Sequence, residues 1–233
     1  MRAALTLLTV FGRSTEPTPR AWTWFPLVGA ALGALVGGAW WLAEQAVPVL
    51  LAATLVVVVD LAVTGMLHVD GLADASDGLL CHATRNDRLR IMRAADVGAF
   101  GVTVVAVTLV ARVSAFAAQP VSIALVAVLW CASRTVIAAA PAWLPYVREE
   151  GMAATMLTKP ALRWPLVALL PAAAVAASVD GVRGAAAITA TILGAVGVLA
   201  LARRRVGGFT GDVLGAGIVV GETVGLVVGA AKW

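Results

Sequence analysis

The sequence predicts an all-α fold, a polytopic membrane bundle of about seven (six to eight) transmembrane helices forming a single membrane domain over residues 1–233. Three observations carry this expectation. Hydrophobic residues fill 61% of the chain and charged residues only 13%, well outside the balance of soluble domains. Apolar runs recur at 27–42, 49–67, 98–118, 121–140, 166–179, 185–202 and 213–230, most of them close to the ~20 residues that cross a bilayer. With seven crossings, the basic residues also fall almost entirely on one side.

Taken in order, residues 2–11 have a basic start and an apolar middle but no small-x-small cleavage site before Arg13. They read as a short helix lying at the interface or half-inserted, rather than as a signal peptide. The runs at 27–42 and 49–67 are the first two spans, and 68–97 is a polar loop. The runs at 98–118 and 121–140 form the next pair. The run at 166–179 is short and contains Pro171, so it is expected to be kinked, tilted or partly re-entrant. The runs at 185–202 and 213–230 close the bundle. On this count Arg2, Arg13, Arg20, Arg85, Arg88, Arg90, Arg93, Arg148, Lys159, Arg163, Arg203, Arg204 and Arg205 share one side. Only Arg183 and Lys232 lie opposite. Such a bias places the basic loops in the cytoplasm. It also explains the net charge of +4 without nucleic acid, because the charges flank membrane spans and no aromatics are interleaved with them. Cys81 and Cys131 belong to no CxxC or Cys/His array and read as plain thiols.

The stretch HVDGLADASDG at 68–78 carries the strongest chemical signal. On a helix, Asp70, Asp74 and Asp77 fall within an arc of roughly 60°, because i, i+4 and i+7 share a face. Read alone, the Asp-Gly pairs are turn signals. Yet either reading leaves three carboxylates within a few residues at a membrane edge, where a cation or cationic ligand must relieve their repulsion. Such hard oxygen donors suit Mg²⁺, which takes one or two carboxylates plus substrate phosphates. His68 lies well off the side of Asp74 on a continuous helix and reads either as an outer hydrogen-bond donor or as an interfacial residue. Downstream, Arg90 and Arg93 are helical neighbours with forked guanidinium groups suited to phosphate, whereas simple membrane anchoring needs only their charge. The segment GGFTGDVLGA at 207–216 offers either a helix start, with Thr210 as cap and Asp212 in the first turn, or a Gly-rich phosphate cradle with Gly211 exposing backbone amides. Asp212 shares the side of the first cluster, so a fourth metal carboxylate is physically reasonable. Asp60, Arg112, Arg134 and Glu222 fall inside spans, where each costs on the order of 2.5–3.5 kcal/mol at mid-bilayer, so they should face inward and pair.

The segments at 68–78, 91–101 (IMRAADVGAFG) and 207–216, with FPLVGAALG at 25–33, closely resemble the cobalamin synthase family, adenosylcobinamide-GDP ribazoletransferases. The resemblance spans essentially the whole chain. It implies an Mg²⁺-dependent enzyme of the bacterial cytoplasmic membrane whose site faces the cytoplasm. In the implied reaction, the ribose 3′-hydroxyl of α-ribazole, or of its 5′-phosphate, attacks the β-phosphorus of adenosylcobinamide-GDP and GMP leaves. Asp70, Asp74 and Asp77 would be the catalytic carboxylates and hold the metal, and His68, Arg90, Arg93, Thr210, Gly211 and Asp212 would meet substrate. Lipid surrounds such a protein, and a homo-oligomer is compatible with it. Two departures stand out: Ala94 and Val219 occupy places where relatives often carry acidic residues. A CDP-alcohol phosphotransferase also uses clustered aspartates. Here Asp74 and Asp77 supply D-x2-D-G, but the A-R and the later aspartates of its pattern are missing. A secondary transporter predicts two similar halves, and no internal symmetry is visible.

Overall fold

The computed structural model describes residues 1–11, 18–148 and 164–232; the expected basic-side charges Arg13, Lys159 and Arg163 lie outside them. The described residues are almost wholly helical: α1 (Arg2–Leu8), a 3-10 turn (Pro19–Trp24), α2 (Phe25–Ala46), α3 (Val49–Val63), α4 (Leu67–Leu80), α5 (Arg85–Ile91), α6 (Ala99–Ala117), α7 (Ile123–Ala139), α8 (Trp164–Val167), α9 (Leu169–Val206) and α10 (Gly211–Gly229). Among them, five stretches are long and apolar enough to cross a membrane, and α3 with α4 makes a sixth if that bent pair is one span. The all-α membrane bundle expected from the apolar runs is therefore the fold found.

The longest stretch is not one straight helix. Residues 165–206 would measure about 63 Å as one straight helix, twice the hydrocarbon thickness of a bilayer. Gly181 breaks α9 with φ 57° and ψ −135°, values only glycine adopts readily. A Cβ placed on Gly184 would lie 2.1 Å from the carbonyl oxygen of Ala176, eight residues earlier. A straight helix separates such residues by about 12 Å, so the chain folds back at Gly181. Pro171, expected to kink the short run, sits in the first turn of α9, where no intrahelical amide is needed.

At the other bend, Gly65 and Met66 take successive left-handed conformations at φ 60° and 59°. For Met66 this costs on the order of 1 kcal/mol, held in place by its amide donating to the carbonyl of Leu61. The turn sets α4 at 89° to α3, so this polar helix lies across the N-terminal ends of α6 and α10 and does not continue through the bundle. These ends, with Arg85, Arg88 and Arg148, form the basic face; Arg183, beside Gln119 and Asp180, marks the opposite one. Two arginines on the basic face secure helix ends. Arg88 donates to the carbonyls of Gly78, Leu79 and Ala83 at the end of α4, and Arg85 to that of Val206 at the end of α9.

Between α3, α6, α7 and α10, the four charges expected inside spans close on one another. Arg112 pairs with Asp60 at 2.5 Å and with Glu222 at 2.6 Å, and its Nε donates to Thr223. Arg134 pairs with Glu222, Ser133 donates to the same carboxylate, and the Trp130 indole N–H donates to Asp60. All four charged residues are buried. Two carboxylates thus meet two guanidiniums, which removes net charge from the apolar interior.

Candidate active site at the helix ends of the basic face

All three sequence-predicted aspartates lie on α4, as the helical reading requires, but they do not share surroundings. The reason is what α4 packs against at each turn. Near its start, Gly71 lets the backbone of Asp212 approach so closely that a Cβ there would lie 3.0 Å from the Asp212 carbonyl oxygen. This contact sets Asp212 beside the Asp70 end of α4. Near the other end, Asp77 meets the start of α6, where its carboxylate accepts from the amides of Gly98 at 2.7 Å and Gly101 at 2.9 Å. A Cβ on either glycine would come within 2.5 Å of that carboxylate, so both glycines are needed for the cap to form. Asp77 is therefore a buried N-terminal cap for α6, which favours negative charge there.

Asp70 and Asp212 lie close enough to Asp74 to act on its charge, and Asp77 adds a smaller effect of the same sign. Partial burial, followed by the negative charges of Asp212 and Asp70, pushes the Asp74 carboxyl up to about 6. Thr210 caps α10 by accepting from the Val213 amide, and its hydroxyl donates to Asp212. Gly211 lines the same opening. Among the described residues, one cation enters the cluster. Arg148 pairs with Asp212 at 2.5 Å and donates to the carbonyl of Met92. Its position follows from pairing of the flanking backbone: the amide of Val147 donates to the carbonyl of Phe209, and that of Phe209 to Pro145. Tyr146 packs edge-on against the Phe209 ring at 5.4 Å. Sequence reasoning placed Arg148 only among the topological charges, because its partner lies 64 residues away and no local motif announces the contact.

Arg90 and Arg93 line a separate groove of about 610 Å³ with Asp77, Asp96 and Phe100. Arg90 is largely exposed and pairs with Asp87, whose carboxyl is held below its usual value by the Thr84 hydroxyl and then by Arg90. Arg90, expected to meet substrate, has its guanidinium paired within α5, to Asp87 of the first turn. His68 is buried and lines a cavity of about 160 Å³ whose mouth is formed by Asp70, Asp212 and Gly211. Its deeper walls are Leu7 and Leu8 of α1, Trp22, Phe25, Ile137 and Ile218.

Among the described residues, no three His, Cys, Asp or Glu side chains converge closely enough to form a metal cage. The donor chemistry nonetheless fits Mg²⁺. Three carboxylates in excess of one arginine leave net negative charge at an open helix-end site, and Mg²⁺ needs only one or two protein carboxylates once phosphates and water complete its shell.

A family model described as cobalamin-5-phosphate synthase matches residues 1–230. Adenosylcobinamide-GDP ribazoletransferase of Klebsiella pneumoniae is 34% identical over 220 residues, covering 93% of this chain and 89% of that protein. The proteins of the same name from Shigella boydii and Chlorobium phaeobacteroides are 34% and 33% identical, each over 91% of this chain and over 93% and 88% of their own lengths. No solved structure matches the chain. Matched over residues 1–230 by that family's model and 33–34% identical to these transferases over about nine-tenths of its length, the chain belongs to the cobalamin-5-phosphate synthase family of transferases.

Proposed function

We propose that this protein transfers the adenosylcobinamide phosphate of adenosylcobinamide-GDP to α-ribazole or its 5′-phosphate at the Asp70–Asp74–Asp212 cluster, in the cytoplasmic membrane with the basic face toward the cytoplasm. The observation that carries the reading is the surplus of carboxylates at that cluster, on the face where the positive-inside bias puts nucleotides within reach. Phosphoryl transfer asks a protein mainly for positioning and charge stabilisation. Mg²⁺, when bound, supplies neutralisation of the pyrophosphate oxygens and of the departing GMP. Asp70, Asp74 and Asp212 are the residues suited to hold it. Asp77, expected from its spacing to be a third ligand, has both carboxylate oxygens engaged by α6 and is assigned a positioning role.

The chain's own groups divide the remaining work. Asp74, with its carboxyl near 6, is suited to take the proton as the acceptor hydroxyl oxygen bonds to phosphorus and the phosphoanhydride bond to GMP breaks. Arg148 is suited to exchange Asp212 for a phosphate oxygen of the donor, since its planar fork matches either group. Arg93, at the edge of the neighbouring groove, adds positive charge for the nucleotide. The purified protein in lipid nanodiscs, given Mg²⁺, α-ribazole and adenosylcobinamide-GDP, should release GMP and form the corrinoid product in equal amounts. Consumption of a lipid CDP-alcohol instead, with no corrinoid product, would overturn the assignment.

A further inference from the structure

The cavity beneath Asp70 and Asp212 has a composition that the reaction centre alone does not require. At about 160 Å³ it lies well below the roughly 300–1,000 Å³ of pockets that enclose a whole drug-sized ligand, so it takes a fragment the size of a bicyclic ring. Its interior is apolar and partly aromatic, with Trp22 and Phe25 rings 4.9 Å apart and tilted at 48°. His68 is the polar side chain below the rim, and it is only 6% exposed. It makes no hydrogen bond to another described residue, although a buried imidazole offers one donor and one acceptor nitrogen and ordinarily uses them. An unpartnered, buried hydrogen-bonding group in an otherwise apolar wall points to a ligand that is itself apolar save for one ring nitrogen.

We infer that this cavity seats the planar aza-aromatic ring of the acceptor nucleoside, with His68 hydrogen-bonded to a ring nitrogen and the attached ribose hydroxyl delivered to the Asp70–Asp212 rim. The inference rests on the transfer reaction proposed above. Size excludes the corrinoid macrocycle from this space. Polarity discriminates against guanine, whose amide and amine groups would be buried here against Trp22, Phe25 and Ile218 without partners. The donor's nucleotide therefore lies outside the cavity, on the side of Arg148.

Equilibrium dialysis of benzimidazole against the full chain in lipid nanodiscs tests the cavity without turnover. The wild type should bind one ring per chain, and guanosine should fail to displace it. Ile218→Trp, which fills the interior, and His68→Phe, which keeps a ring but loses the nitrogens, should each weaken benzimidazole binding about tenfold or more. Leu8→Trp, at the α1 edge, gives a second filled variant should Ile218→Trp not fold. In GMP-release assays the same substitutions should raise KM for α-ribazole by a similar factor and leave KM for the donor unchanged. Absence of benzimidazole binding, displacement by guanosine, or a rise confined to the donor's KM would overturn the inference. Should the wild type release no GMP at all, the transfer reading fails, and the dialysis result still decides what the cavity accepts.

Discussion

Four charged residues are sealed between α3, α6, α7 and α10, and four more meet at the helix ends of the basic face, so the molecule holds two clusters of the same residue types. The sealed cluster sets Asp60 and Glu222 against Arg112 and Arg134. Its formal charges cancel, and Ser133, Thr223 and Trp130 occupy further donors and acceptors. Among the described residues, the open cluster sets Asp70, Asp74 and Asp212 against one paired cation, Arg148. Net balance separates the two roles. A neutral set, in which every carboxylate meets a guanidinium and a single buried nitrogen, Arg134 Nε, lacks a partner among the described residues, locks helices together, whereas a set with surplus carboxylates is completed by something from outside. Asp74 registers that surplus: its carboxyl is raised by burial first and then by its like-charged neighbours Asp212 and Asp70.

The sharpest way to break this contrast is Asp74→Asn. GMP release should fall by about 10²–10⁴-fold while the protein stays folded. The metal-free variant should also be at least as heat-stable as the wild type at pH 7.5. The folded-state pKa of Asp74 is raised, so its ionised form is disfavoured by the fold and costs stability above about pH 6. That cost fades as pH falls through 6 and is gone below the unfolded value of 3.8, so the advantage of Asn should disappear there. A loss of stability at pH 7.5 would mean that Asp74 belongs to a self-satisfied network like the sealed one. The converse substitution is Arg112→Leu, which leaves Asp60 and Glu222 short of a partner inside the bundle. Breaking a buried pair in this way costs about 3–5 kcal/mol, measured as a lowered denaturant midpoint for the detergent-solubilised chain. An unchanged midpoint would remove the structural role of the sealed cluster.

The same contrast explains what the sequence could and could not disclose. Helices were legible because each apolar run reports its own burial, and the inward charges because any ionised group inside a span must pair. The fold-back at Gly181 was also legible, as the gap between the runs at 166–179 and 185–202. The helical face of Asp70, Asp74 and Asp77 was read correctly as a face, yet spacing along one helix says nothing about its neighbours. Gly98 and Gly101 engage both oxygens of Asp77 as a cap for α6, and Asp212 enters through α10. Arg148 was out of reach for the same reason: backbone pairing between 145–147 and 209 puts it there. The glycines within the motifs were the available clue, because close approach of two backbones needs a residue without a side chain.

Arg148→Gln should sharpen the comparison at intermediate magnitude. A partly exposed pair is worth about 0.2–1 kcal/mol, so the thermal midpoint should barely move. Loss of a charge that meets phosphate should still lower GMP release about 10–10²-fold, with Lys restoring only part because it lacks the fork. A change in stability without one in turnover would make Arg148 a strut between the 145–148 segment and α10.

Asp77→Asn should have the smallest effect, and it tests the division drawn within α4 itself. An amide oxygen can still accept from Gly98 or Gly101, but its NH₂ group faces a second amide N–H where the carboxylate offered an acceptor. The loss should resemble that of a helix cap, about 1 kcal/mol in the unfolding midpoint. Turnover should drop only as far as a loosened α6 disturbs Asp74, with unchanged dependence on Mg²⁺ concentration. A shift in that dependence as large as the one caused by Asp74→Asn would return Asp77 to the metal. It would also show that α6 releases its cap when substrate binds, making the glycines at 98 and 101 a hinge of the site.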